Sequence, residues 1–250
     1  MKHLLVLLLV STLNGFSSQA TSPVTDAPKP KYGSQATRLH DSHEFIAKNA
    51  APDYWAISPY YIPQQDEGAC ILASFTMTLN ALRASDALTA SDELISQPKL
   101  LKDIQDETAA KRFYINHGKS ISLDEMADLF KKASADLIHK TVRVDVLHAD
   151  ATDPKFAAKL EKILIENEKS AKNFIVANFL QSELTGDPEG AMGHVSPVAA
   201  YDAKTKRVLI MDPDRQYYEP YWVSLDTFIK GLNTLDKDAG KNRGVLFIHE

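Results

Sequence analysis

The sequence has 250 residues, 44% of them hydrophobic and 24% charged, with a formal net charge of −5. That balance speaks against nucleic acid or an anionic membrane as a partner, and a single cysteine excludes an intrachain disulfide. A chain of this length can build one core of ordinary size, since single domains run to about 250 residues.

The chain opens MKHLLVLLLVSTLNGFSSQA, with Lys2 as a positive n-region, Leu4 to Val10 as an apolar core and Ser18-Gln19-Ala20 as a small-residue cleavage pattern. Residues 1–20 are therefore expected to be a signal peptide. Its apolar core is too short to span a ~30 Å hydrocarbon layer, which needs about 20 residues, so the mature form is expected to be exported without a membrane anchor. The destination would be the periplasm in a Gram-negative cell and the medium otherwise. Residues 21–36 hold three prolines and little that packs, which predicts a flexible lead-in to a single domain over 37–250.

YWAISPYYI, residues 54–62, is aromatic and β-branched and stops at Pro63, which predicts a short strand or extended entry. From Ala69 apolar residues recur at helical spacing behind Gly68, so a helix is expected to begin at or just before Cys70. Residues 91–116, 122–138 and 154–169 also have helical character, the second behind a cap at Ser122 and the third behind Asp153-Pro154. FIVANFL (174–180), HVSPVAAYD (194–202), RVLIMD (207–212) and GVLFIHE (244–250) then predict strands, with a hairpin turn at 202–206 and a short helix over 224–232. Helices followed by antiparallel strands make an α+β domain in two lobes, helical over about 63–170 and β over about 171–250.

A lone thiol in an exported protein is either reactive or intermolecular, unless it is simply a small buried hydrophobe. At a helix start, Cys70 would face unpaired N–H groups and the positive end of the macrodipole, both of which favour thiolate. Gln64, six residues upstream, carries a carboxamide able to donate to an oxyanion together with the Cys70 N–H, and Gln65 is a rival one position on. Among the eight histidines His194 stands out, because it opens a β-run after the loop TGDPEGAMG. The next strand ends in Asp212, which would accept from the imidazole Nδ1–H and orient the ring. Cys70, His194 and Asp212 thus form a candidate triad with Gln64 as oxyanion donor. The bland alternative makes His194 a satisfied strand-end histidine and Asp212 a turn residue before Pro213.

At these residues the sequence resembles the phytochelatin synthase family, a branch of the papain-like cysteine peptidases. Two blocks carry the resemblance, YWAISPYYIPQQDEGACILASFTMTLNAL (54–82) and GHVSPVAAYDAKTKRVLIMDPDRQYYEPYWVSLDTFIKGLNTLD (193–236), with GKNRGVLFI (240–248) as a tail. The resemblance implies a papain-like two-lobe α+β fold, with the nucleophile at a helix start in the N-terminal lobe and an antiparallel β C-terminal lobe. It implies Cys70 as the acylated nucleophile, His194 as base, Asp212 as orienter and Gln64 as oxyanion donor. Arg215 would hold the γ-glutamyl end of a substrate, and Asp66 and Asp236 its ammonium, with Gly193 of the Gly-His-x-Ser-Pro motif beside them. Arg215 pairing with Asp214 or Glu219, and the two acids as ordinary loop residues, are the alternatives.

The implied activity is cleavage of the Cys–Gly bond of glutathione through a γ-glutamylcysteinyl thioester on Cys70. Water would release γ-glutamylcysteine, and a second glutathione would instead yield a phytochelatin. Residue 71 is Ile where the family usually has Gly, which narrows the acceptor side and predicts hydrolysis over transfer. The sequence stops at Glu250 without the Cys-rich C-terminal region of the plant enzymes, as in the short bacterial form. No cofactor is expected and no protein-borne metal site; heavy metals would enter as thiolate complexes of the substrate. The expected partner is a small molecule, glutathione or an S-conjugate, with a homodimer as the candidate assembly. Two other functions stay open: a different papain-like peptidase acting on peptides, and a non-catalytic binder of γ-glutamyl thiols.

Overall fold

Two apolar faces on one sheet organise the chain. The computed structural model describes residues 31–84, 86–104 and 121–250, so the expected signal peptide, residues 21–30 of the lead-in, His117 and the stretch 105–116 lie outside the described residues. In chain order the elements are β1 (Ala36–Arg38), α1 (Glu44–Lys48), α2 (Pro52–Ile57), α3 (Cys70–Ala81), α4 (Gln97–Asp103) and α5 (Leu123–Ile138). There follow β2 (Arg143–His148), α6 (Phe156–Asn167), β3 (Asn173–Leu180), α7 (Gln181–Thr185), β4 (Gly193–Asp202) and β5 (Arg207–Ile210). The chain closes with β6 (Tyr221–Ser224), α8 (Leu225–Leu232), β7 (Leu235–Asp236), β8 (Lys241–Asn242) and β9 (Gly244–His249). No helix among the described residues is long and apolar enough to cross a membrane.

Seven strands form one antiparallel sheet in the order β1-β6-β5-β4-β3-β9-β2, and β7 and β8 make a separate two-stranded ribbon. The central strand β3 explains the near-continuous apolar run FIVANFL, because both its faces are covered. Phe174 and Val176 belong to one buried core with Leu72, Phe75 and Leu79 of α3 and Met126 and Phe130 of α5. Ile175, Ala177 and Phe179 meet Leu160 and Leu164 of α6, Leu184 of α7 and Phe228 of α8. Alternation along a strand sends successive side chains to opposite faces, so one strand serves both cores. Helix α3 is buried along its whole length, and Phe75 meets Phe130 edge to face at 4.9 Å. The result is an α+β fold as expected, one antiparallel sheet with helices packed on both of its faces.

Several segments differ from the sequence reading. Residues 54–60 are helical rather than extended, since Pro52 occupies the first turn of α2 and a 3₁₀ turn continues over Ser58–Tyr60; the chain becomes extended only at Tyr61. A proline there is preorganised for helix, and this outweighs the local aromatic and β-branched composition. Of the helix expected over 91–116, the described part is only Gln97–Asp103, begun by Ser96, whose hydroxyl accepts from the Lys99 N–H. Arg143–His148, inside the expected helical lobe, is an edge strand paired with β9. Tyr221–Ser224 is a strand between β5 and β1. Tyr32, in the stretch expected as a lead-in, packs its ring against Tyr218 and Tyr221. The Ser122 cap is a full capping box with Glu125.

Candidate active site

Helix α3 begins at Cys70 with Ala69 as its N-cap, and no side chain caps it. The first-turn N–H groups of a helix have no intrahelical partner, so the end that carries the thiol keeps free donors and its positive dipole. Cys70 is a free, buried cysteine. Four residues along, on the same helix face, the Ser74 hydroxyl donates to the Val195 carbonyl at 2.9 Å. Val195 follows His194, so one hydrogen bond joins the nucleophile's helix to the histidine's strand.

His194 and Asp212 lie 18 residues apart, His194 near the start of β4 and Asp212 just beyond β5, and their side chains meet at 2.8 Å between Nε2 and Oδ1. The Cys70 sulfur lies close enough to the ring to act on it electrostatically. With Nε2 committed to the carboxylate, Nδ1 is the nitrogen that meets the thiol, which reverses the tautomer expected from the sequence. The ring also packs edge-on against Phe179 at 5.6 Å, which blocks a flip. Burial pushes the His194 pKa down, but the Asp212 carboxylate, its hydrogen bond and the Cys70 sulfur outweigh it and lift the pKa well above its ordinary value. Burial likewise pushes Asp212 up, and the imidazole with three hydrogen bonds overcomes it, leaving the carboxyl below the usual range. Both directions favour an imidazolium beside a carboxylate.

The loop before α3 is fastened to the acid. Tyr61 donates its hydroxyl to the Asp212 carbonyl at 2.6 Å, and the Gln64 N–H donates to the Pro213 carbonyl at 2.8 Å. Gln97 holds the same loop from behind, donating to the Pro63 carbonyl at 2.8 Å and accepting from the Gln65 N–H at 3.3 Å. The Gln64 carboxamide oxygen is buried without a partner, so no hydrogen bond to that oxygen fixes its side chain. Gln65, the rival donor, is exposed and has its N–H bound to Gln97.

The expected substrate residues divide into two groups. Asp66 accepts from the Gly68 N–H at 3.0 Å, which shapes the turn into α3. Arg215 is exposed and stacks its guanidinium over Tyr61 at 4.8 Å, while Glu219 pairs with Arg38 instead. Gly193 and Asp236 lie beside a residue that sequence reasoning left without a role, Arg243. A Cβ at Gly193 would come within 2.9 Å of the Arg243 Nη2, so a side chain there would push on the guanidinium. Arg243 donates from Nη1 to Thr234 and Leu235, feels the Asp236 carboxylate, and keeps Nε buried without a partner. Its signal lay in the tail GKNRG. Gln181, also missed, donates to Asp212 Oδ2 at 2.7 Å. Among the described residues no three His, Cys, Asp or Glu side chains group to hold a metal ion.

A buried thiol at a helix tip, facing an imidazolium oriented by a carboxylate on an antiparallel sheet, is the arrangement of the papain-like cysteine enzymes. The phytochelatin synthase family model matches residues 34–245, and the chain belongs to that family. It is 23% identical over 211 residues to glutathione gamma-glutamylcysteinyltransferase 1 of Lotus japonicus, covering 82% of this chain and 37% of that protein. To glutathione gamma-glutamylcysteinyltransferase 2 of Arabidopsis thaliana it is 22% identical over 206 residues, covering 82% and 42%. The chain thus spans about two fifths of the length of these curated relatives. Among solved structures, a C39-like peptidase of Bacillus anthracis aligns with a TM-score of 0.48 at 13% identity, over 76% of this chain and 94% of the other.

Proposed function

We propose that this protein cleaves the Cys–Gly peptide bond of glutathione by way of a thioester on Cys70. The Cys70 thiolate adds to the cysteinyl carbonyl, and the oxyanion takes hydrogen bonds from the Cys70 N–H and the Gln64 carboxamide. His194 gives its Nδ1 proton to the departing glycine nitrogen, leaving γ-glutamylcysteine as an acyl group on sulfur. The neutral imidazole then takes a proton from water, hydroxide adds to the thioester, and the thiolate leaves. One glutathione and one water thus become γ-glutamylcysteine and glycine. Asp212 stays ionised throughout and holds the ring by its Nε2–H.

For the γ-glutamyl end, Arg243 is a better receptor of the α-carboxylate than Arg215. Its guanidinium is half-buried with Nε unengaged beside Gly193, next to His194, whereas Arg215 lies on the exposed rim over Tyr61. Asp236, close enough to influence Arg243, would take the ammonium. Ile71 is buried directly after the nucleophile and leaves little room for an amine acceptor, which favours water over a second glutathione. No cofactor enters this chemistry. Heavy-metal ions take part as thiolate complexes of the substrate, and the mature chain works outside the cytoplasm.

The observation that carries this reading is the buried His194–Asp212 hydrogen bond with the Cys70 sulfur acting on the same ring, in a chain of this family. The mature protein incubated with glutathione, with and without cadmium, and resolved by mass should give glycine and γ-glutamylcysteine in excess over any phytochelatin. Cys70→Ala should abolish both products. Cleavage of ordinary peptides but not of glutathione would transfer the site to a general peptidase. An unreactive thiol would leave only a binding protein.

A further inference from the structure

The geometry points to Gln181 as a positioning residue that keeps Asp212 ionised and in line with His194, by binding the carboxylate oxygen the histidine does not use. Gln181 is 2% exposed and opens α7 immediately after β3. Its Nε2 donates to Asp212 Oδ2 at 2.7 Å, while Oδ1 accepts from His194 Nε2 at 2.8 Å and from the Asp214 N–H at 2.9 Å. A carboxylate with one oxygen tied could still turn about its Cβ–Cγ bond; with both tied, it is fixed in the plane that meets the imidazole. The Gln181 carboxamide is itself held, since the Tyr221 hydroxyl donates to its Oε1 at 3.5 Å. Its main-chain N–H donates to the Met192 carbonyl at 3.0 Å, two residues before His194. One glutamine therefore holds both the acid and the entry to the histidine's strand.

The chemistry of the pair requires such a donor. A buried carboxylate without enough hydrogen bonds takes a proton, and then no longer supports an imidazolium. The Gln181 bond is among the forces that hold Asp212 below its ordinary range. Other titratable groups that interact with Asp212 are Asp214 and the phenols of Tyr32, Tyr61, Tyr218 and Tyr221. Burial raises every one of those phenols, so they stay neutral across the working range and none replaces the amide as a charge partner.

The inference rests on the thiolate–imidazolium pair of the proposed function and not on the identity of the substrate, so its test uses the thiol. The rate of alkylation of Cys70 by iodoacetamide is measured against pH for the wild type, Gln181→Met and Gln181→Glu, with thermal melting of each. Gln181→Met keeps the volume and removes the donor. It should slow alkylation near neutrality about tenfold, the range for losing a hydrogen bond to a charged group, and move the rising acid limb to higher pH as the imidazolium that favours the thiolate weakens. Gln181→Glu can donate only while protonated, so its rate should approach the wild type in acid and fall as the new carboxyl ionises. Profiles of unchanged shape in both variants, with only amplitude or melting temperature altered, would reduce Gln181 to a packing residue. Should Gln181→Met fail to fold, the acid-dependent rate of Gln181→Glu alone decides. A wild-type thiol inert at every pH would instead overturn the proposed function itself.

Discussion

Asp212 and Asp53 are both 0% exposed, yet their surroundings drive them in opposite directions. Asp212 takes donors from His194, Gln181 and the Asp214 backbone, and they outweigh burial and hold its carboxyl below the usual range. Asp53, on α2, has a single donor, the Asn167 carboxamide, and the charge of Glu168 nearby. Burial and that charge lift it well above the usual range, and one oxygen on each of Asp53 and Asn167 lacks a partner. A protonated Asp53 brings its own donor to this group of oxygens. Depth in the protein decides nothing alone; the number of donors and the sign of the neighbour decide.

The comparison is sharpened most by removing the favoured acid. Asp212→Ala leaves a buried imidazole without its counter-ion, and turnover of glutathione should fall about 10³-fold or more, measured as kcat on a variant shown to be folded by circular dichroism. Asp53→Asn should act oppositely, leaving turnover near that of the wild type. A raised carboxyl gives stability that is complete below its unfolded value of about 4 and is lost as pH rises toward the folded value. The variant should therefore gain on the wild type as pH rises above about 4, measured by urea melts across the pH range. Equal loss of stability at every pH would mean that Asp53 is ionised. The smallest effect belongs to Glu168, which burial pushes up to about 7 against one opposing hydrogen bond from the Tyr201 N–H. By the same sign, the wild-type melting temperature should drop by a few degrees between about pH 4 and 7, and Glu168→Gln should flatten that drop.

What could be read in advance follows the range of the interaction concerned. Cys70 behind Gly68, and His194 and Asp212 on successive β-runs, are local patterns, and the fold brings them together across helix and sheet. Ser122 with Glu125 is likewise legible because a capping box spans only three residues. Gln181, Ser74 and Gln97 act through contacts between distant segments, and nothing near them in the chain marks an amide or hydroxyl as engaged. The tautomer was misjudged for the same reason, since only the direction from which Asp212 approaches selects Nε2. Residues 54–62 and 143–148 show composition failing in both directions. Aromatic and β-branched residues sit in a helix started by Pro52, and the alternating Val144 and Val146 form an edge strand amid polar neighbours.

The clasp of Tyr61 and Gln64 on residues 212–213 also governs when the protein becomes dangerous to its surroundings. The Tyr61 bond to Asp212 spans 151 positions of chain, so the donor loop, the ring and the acid can assemble only after the late strands have docked. Until then the sulfur is an ordinary thiol, without a cation beside it or an orienting carboxylate behind. An assembled triad thus depends on contacts between the two ends of the chain, and a molecule that has not joined them carries no oriented nucleophile.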